Sequence, residues 1–147
     1  MVLIFNFSSQ NGNDTTSLSR AVTNKIASVV FKNYNSQSNE TRNYITYSLN
    51  LIVRKTAHFT MYYILSASVY LLIFSMKKHF KTCFKFSLGI PLLYAISDEV
   101  HQIFTDGRTA KVTDVIIDET GAFFGSLTVF AVIACFNYLK LNHTKNL

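Results

Sequence analysis

The sequence predicts an all-α fold: a polytopic membrane helix bundle in one domain, 1–147. It has three full transmembrane helices, an N-terminal stub and an interfacial amphipathic helix. Three observations carry this. Half the chain (49%) is hydrophobic and only 15% charged, where soluble domains hold nearer a quarter. The apolar residues are gathered into runs: Ala57–Met76 and Thr120–Leu139 each give twenty residues without Lys, Arg, Asp or Glu. At about 1.5 Å per residue either run crosses a hydrocarbon core of roughly 30 Å. The basic residues, 14 against 8 acidic, sit mainly in loops beside these runs. That is the pattern of topology signals and headgroup contact, and it argues against nucleic-acid binding.

Taken in order, "MVLIFNF" (residues 1–7) lacks the basic n-region and length of a signal peptide and reads as the stub of a membrane helix. Residues 6–19 are polar and loop-like. Leu18, Val22, Ile26, Val29 and Val30 then recur at helical spacing among Arg20, Lys25 and Lys32, the pattern of an amphipathic helix lying on a membrane surface. Asn33–Thr41 reads as a polar loop. Tyr44, Tyr47, Leu51 and Ile52 lead into the first span, 57–76, at the depth of an aromatic belt. The second span, 86–104, contains Pro91, expected to kink it and free a carbonyl. The third is 118–139. Four lysines in "KKHFKTCFK" make the 77–85 loop cytoplasmic, which puts the 105–113 loop outside. Arg54 and Lys55 then sit on the side the rule disfavours, which points to a task beyond topology.

Six of the eight carboxylates fall between Tyr94 and Gly121, at the outer ends of the three spans. Lys55, His58 and Tyr62 form one stripe of the first; Asp98, Glu99 and Gln102 bracket one face of the second; Asp114, Asp118, Gly121 and Gly125 share a face of the third. Ionised groups within a bilayer are costly, so three helices placing them at one depth favours mutual pairing. The expectation is one outward-facing polar cluster, with Arg54, Lys55, His58 and Arg108 as counter-charges to the acids. Gly107–Arg108 reads as a tight outer turn, and Arg108 suits an internal ion pair and a lipid phosphate equally well. Gly121-xxx-Gly125 is a close helix-packing motif.

The blocks "RKTAHFTMYYIL" (54–65) and "AISDEVHQIFTDGRTAKVTDVIIDETGAFFG" (95–125) resemble the two signatures of VanZ-like bacterial membrane proteins. Arg54, Lys55, His58, Phe59, Tyr62, Ser97, Asp98, Glu99, Gln102, Phe104, Gly107, Arg108, Asp114, Asp118 and Gly121 carry the match. "NFSSQNGNDTTSLS" resembles that family's SSQ-rich loop, before which its members have a complete helix; residues 1–7 would be the remnant. The resemblance implies a protein of the cell envelope, related to one linked to low-level teicoplanin resistance; it implies no reaction.

Several readings of these residues stay open. The carboxylates fit a hydrogen-bonded packing network, a ligand or substrate site such as a glycopeptide or a lipid-linked cell-wall precursor, or a divalent cation held by hard oxygens; no metal or cofactor is assigned. His58 suits a helix–helix hydrogen bond or, with Asp98 or Glu99, general acid–base catalysis. Cys83 and Cys135 have no metal or disulfide spacing. GxSxG, HExxH, P-loop and CxxC motifs are absent, so any enzyme would lack a familiar signature. The inner halves of the spans carry no charge, which disfavours a transporter.

Overall fold

A computed structural model describes residues 17–31, 33–104 and 111–145. They form four α-helices: α1 (Ser17–Val30), α2 (Asn39–Ser75), α3 (Phe80–Ile103) and α4 (Val112–Lys145), with a 3-10 turn at Tyr34–Ser36 before α2. The stub at 1–7, most of the SSQ-like loop and the Gly107–Arg108 turn lie outside the described residues.

Two helices are long and apolar enough to cross a membrane: Asn39–Ser75 with a mean hydropathy of 1.5, and Val112–Thr144 with 1.8. The core helix of a soluble protein would bury such a surface. Here only 17% and 22% of the two apolar windows are buried, and Leu71, Leu72, Val132, Phe136 and Leu139 face outward. The buried positions are instead often polar, among them Thr23, Ser66, Ser87 and Ser126. Apolar outside and polar inside suits lipid as the solvent. Of the three expected spans these are two. Helix α3 is long enough, but Lys81 and Lys85 near its start and Asp98 near its end leave only 86–97 uncharged, about 18 Å of helix.

The helices outrun the expected spans. Asn33–Thr41 is not all loop: α2 starts at Asn39 because Ser38 caps it. The Ser38 Oγ accepts from the Thr41 backbone N–H (3.3 Å) and its carbonyl from that of Arg42 (3.0 Å), satisfying donors that a helix start leaves open. The 77–85 loop likewise contracts. Lys77 takes a left-handed φ of 55° just past the end of α2, where such a residue commonly ends a helix. Phe80 already begins α3, so Lys81 and Lys85 lie on its first turns. Helix α3 continues through the buried Pro91.

Two compact units make up the chain: residues 1–57 with 98–110, and residues 58–97 with 111–147. In the first, α1 and the 3-10 turn are tied to the start of α2. Thr23 Oγ1 donates to Asn50 Oδ1 (2.6 Å). The Tyr34 hydroxyl meets Thr46 Oγ1 (2.7 Å) and Asn24 Oδ1 (3.1 Å), and Arg42 lies 5.2 Å over its ring. Thr23 bonds Asn50 and Tyr34 bonds Thr46, so this segment runs antiparallel to α2. In the second unit the rest of α2, the first part of α3 and α4 pack together. Tyr70 meets Phe84 edge-on at 5.3 Å, and Phe84 meets Phe130 at 5.6 Å.

Candidate functional site

Glycine decides the geometry of the second unit. A Cβ added to Gly121 would run into the backbone carbonyl of Phe59, and one on Gly125 into that of Tyr63. Only a residue without a side chain lets α4 lie this close to α2 at both points. Gly121 is less than one turn past Asp118, and Phe59 directly follows His58. The close approach therefore brings an imidazole and a carboxylate from different helices together. His58 Nδ1 lies 3.5 Å from Asp118 Oδ1, with the two side chains only 13% and 4% exposed.

With Asp118 beside Nδ1, the second nitrogen of His58 is left over. Nε2 is buried and takes no hydrogen bond among the described residues. The 3.5 Å separation is an ion-pair contact longer than a hydrogen bond, so both His58 Nε2 and Asp118 Oδ1 keep polar capacity for a further group. Either can bind a donor or take a proton. One turn further along α2, Tyr62 is fully buried; one turn earlier on α4, Asp114 is half-buried. Asp114 occupies the first turn of α4, where the positive end of the helix dipole favours a carboxylate.

Deeper in the same unit lies a feature that sequence reasoning missed. Ser66, Ser87 and Ser126, from three different helices, are all fully buried. Ser126 Oγ is 2.5 Å from Ser66 Oγ and 2.7 Å from Ser87 Oγ, and Ser66 Oγ donates to the Ala122 carbonyl at 2.6 Å. With Ser66 donating to Ala122, the Ser126 proton goes to Ser66, and the Ser87 hydroxyl lies between Ser126 and the Phe84 carbonyl, 3.3 Å away on its own helix. The hydroxyls join all three helices and satisfy one another away from bulk water.

The remaining candidates belong to the first unit and have their own geometry. Gln102 Nε2 donates to Asp98 Oδ2 at 3.0 Å, one turn apart on α3. Asp98, Glu99 and Gln102 are 3%, 7% and 2% exposed. On α2, Arg54 is half-buried and Lys55 exposed. Arg108 lies outside the described residues. Among the described residues no group of three or more His, Cys, Asp or Glu side chains is placed to hold a metal ion.

No curated protein and no solved structure matches the chain. A family model described as VanZ/LLP1 does, over residues 1–134. That match takes in every described candidate residue, from Arg54 to Gly125. The chain belongs to the VanZ/LLP1 family.

Proposed function

We propose that this chain is a multi-pass membrane protein of the bacterial cell envelope, with an accessory role in tolerance of teicoplanin-type glycopeptides or in envelope stress. In this reading α3 is the middle one of three spans, flanking lysines and carboxylates marking its two membrane faces. The 77–85 segment is cytoplasmic and 105–113 extracytoplasmic. His58, Tyr62, Asp114 and Asp118 form a polar site lying toward the outer face. Its ligand is a glycopeptide or a lipid-linked cell-wall precursor, and the bilayer is the chain's constant partner.

The observation that carries this is the buried His58–Asp118 pair on helices that otherwise turn apolar side chains outward. Ionisable groups inside a bilayer are costly and mark function by default. Family membership supports the envelope setting.

A second reading has a specific observation behind it. The open Nε2 of a carboxylate-held His58 is suited to acid–base chemistry on a lipid-linked intermediate. The test separating the two compares teicoplanin susceptibility, and turnover of labelled lipid-linked precursor, with and without the gene. A shift in susceptibility with unchanged precursor supports the binding role. Accumulated precursor supports the enzyme. No change in either removes both.

A further inference from the structure

Every buried residue of α2 carries a hydroxyl: Tyr62, Ser66 and Tyr70, at i, i+4 and i+8. His58 stands one turn before Tyr62, so this edge of the helix is polar at four successive turns, over about 18 Å. Packing alone does not call for that. The chain has thirteen phenylalanines, and none of the described ones is buried. Both aromatics buried in this unit are tyrosines instead. A phenylalanine fills nearly the same volume and spares the cost of taking a hydroxyl out of water.

The other two helices of the unit extend the column. Ser126 of α4 and Ser87 of α3 join Ser66 at its middle. Cys83, one turn before Ser87 on α3, is fully buried, and its thiol donates to the Lys78 carbonyl at 3.8 Å, in the turn that links α2 to α3. Counted from Ala57, His58 lies about 2 Å into the apolar run, Tyr62 about 8 Å, Ser66 about 14 Å and Tyr70 about 20 Å. With Cys83 at the far end, polar groups recur through a hydrocarbon core roughly 30 Å thick. Successive levels on α2 are about 6 Å apart, the span of one bridging water.

We propose that this column conducts protons between the two faces of the membrane, with the His58–Asp118 pair at one end and the Lys78 turn at the other. A hydroxyl takes a proton from one neighbour while giving its own to the next, then turns to reset, since it is donor and acceptor at once. An imidazole likewise takes a proton at one nitrogen and releases one from the other. The proton enters from water at one face and leaves to water at the other, driven by the pH difference, with no further reactant. The inner halves of the expected spans hold no charged side chain, which suits protons and not metal ions, because a proton needs only polar groups in sequence. The proposal rests on reading α2 and α4 as membrane spans, and the test separates the two claims.

Full-length protein is reconstituted in liposomes loaded with a pH-sensitive dye, and a pH step is imposed with potassium and valinomycin present to cancel the membrane potential. The wild type is expected to dissipate the step faster than protein-free liposomes. Tyr62→Phe and Tyr70→Phe keep the ring and remove one hydroxyl each, and Ser126→Ala breaks the middle. Each should slow the flux above that baseline by at least about tenfold, a conservative share of what a positioned proton-transfer group contributes. Tyr138→Phe, at an exposed position of α4, should leave it unchanged. The chain has no tryptophan, so Val132→Trp, exposed on α4 and about 21 Å along it from Asp118, reports insertion through quenching by brominated acyl chains. If Val132→Trp is quenched and the wild type is no faster than protein-free liposomes, the proton path fails while the spans stand. Equal flux in the wild type and all three column variants would reduce the column to helix packing. Sodium passing at a comparable rate would mark a leak and overturn the path as well. If Val132→Trp is not quenched, the membrane reading falls and takes this proposal with it. Flux is scaled to inserted protein, and the other two variants carry the comparison should one fold poorly.

Discussion

His58 and Asp118 respond differently to losing each other. Asp118→Asn replaces the carboxylate with an amide of the same shape, whereas His58→Ala removes the imidazole that faces a carboxylate held 4% exposed. Asp118→Asn therefore strands no carboxylate, and the protein should reach the membrane at close to wild-type level. His58→Ala takes away that facing imidazole, at a cost of up to roughly 3–5 kcal/mol where the pair is dry. Its abundance should fall, and the double variant His58→Ala/Asp118→Asn should recover. Quantitative immunoblots of membrane fractions decide this; equal loss in both single variants would contradict it. Ser126→Ala breaks the hydroxyl chain in its middle and should lower stability in detergent by about 0.6 kcal/mol, at most about 1.7. An unchanged melting temperature would mean the chain contributes nothing. The His58 stripe was legible because a histidine beside charged residues at the mouth of an apolar run is conspicuous. The serines were not. A single serine in an apolar run looks like any small residue, and only the rotational phase of three helices brings Ser66, Ser87 and Ser126 together.

Helices α2 and α4 owe their contact to two positions. Leucine at Gly121 or Gly125 would place a side chain where the Phe59 or Tyr63 carbonyl already lies. The helices must separate, and each variant should lose at least about 1–3 kcal/mol, the usual range for overpacking, seen as a lower melting temperature in detergent. Unchanged melting of both would count against the close approach. The small-xxx-small spacing of these glycines was readable, since its meaning is local to one helix. Element ends were harder. Helix α2 starts earlier than the polar Asn39–Thr41 suggests, although Ser38, three residues before Thr41, is a usable capping signal. Helix α4 starts six residues before the expected span for a similar reason: Thr113 and Asp114 resemble loop, yet an acidic first turn is what a helix N-terminus favours.

For the whole molecule, the hydropathy pattern located α2 and α4 because an uncharged stretch of twenty residues matches the thickness of a bilayer. It was less informative for α3, whose uncharged stretch is short and whose polar ends are part of the same helix. Topology has a direct check. In a background without Cys83 and Cys135, a cysteine at Thr109 should react with an impermeant thiol reagent in intact cells and one at Thr82 should not. The reverse result would invert the protein. The central claim is that the His58–Asp118 pair serves function beyond holding helices together. The measurement that tests it most directly is teicoplanin tolerance of a strain carrying Asp118→Asn, read beside membrane abundance in the same cells. Near-normal abundance is expected, with tolerance reduced to that of a strain lacking the gene. Normal abundance with full tolerance would contradict the claim and leave the pair a packing device.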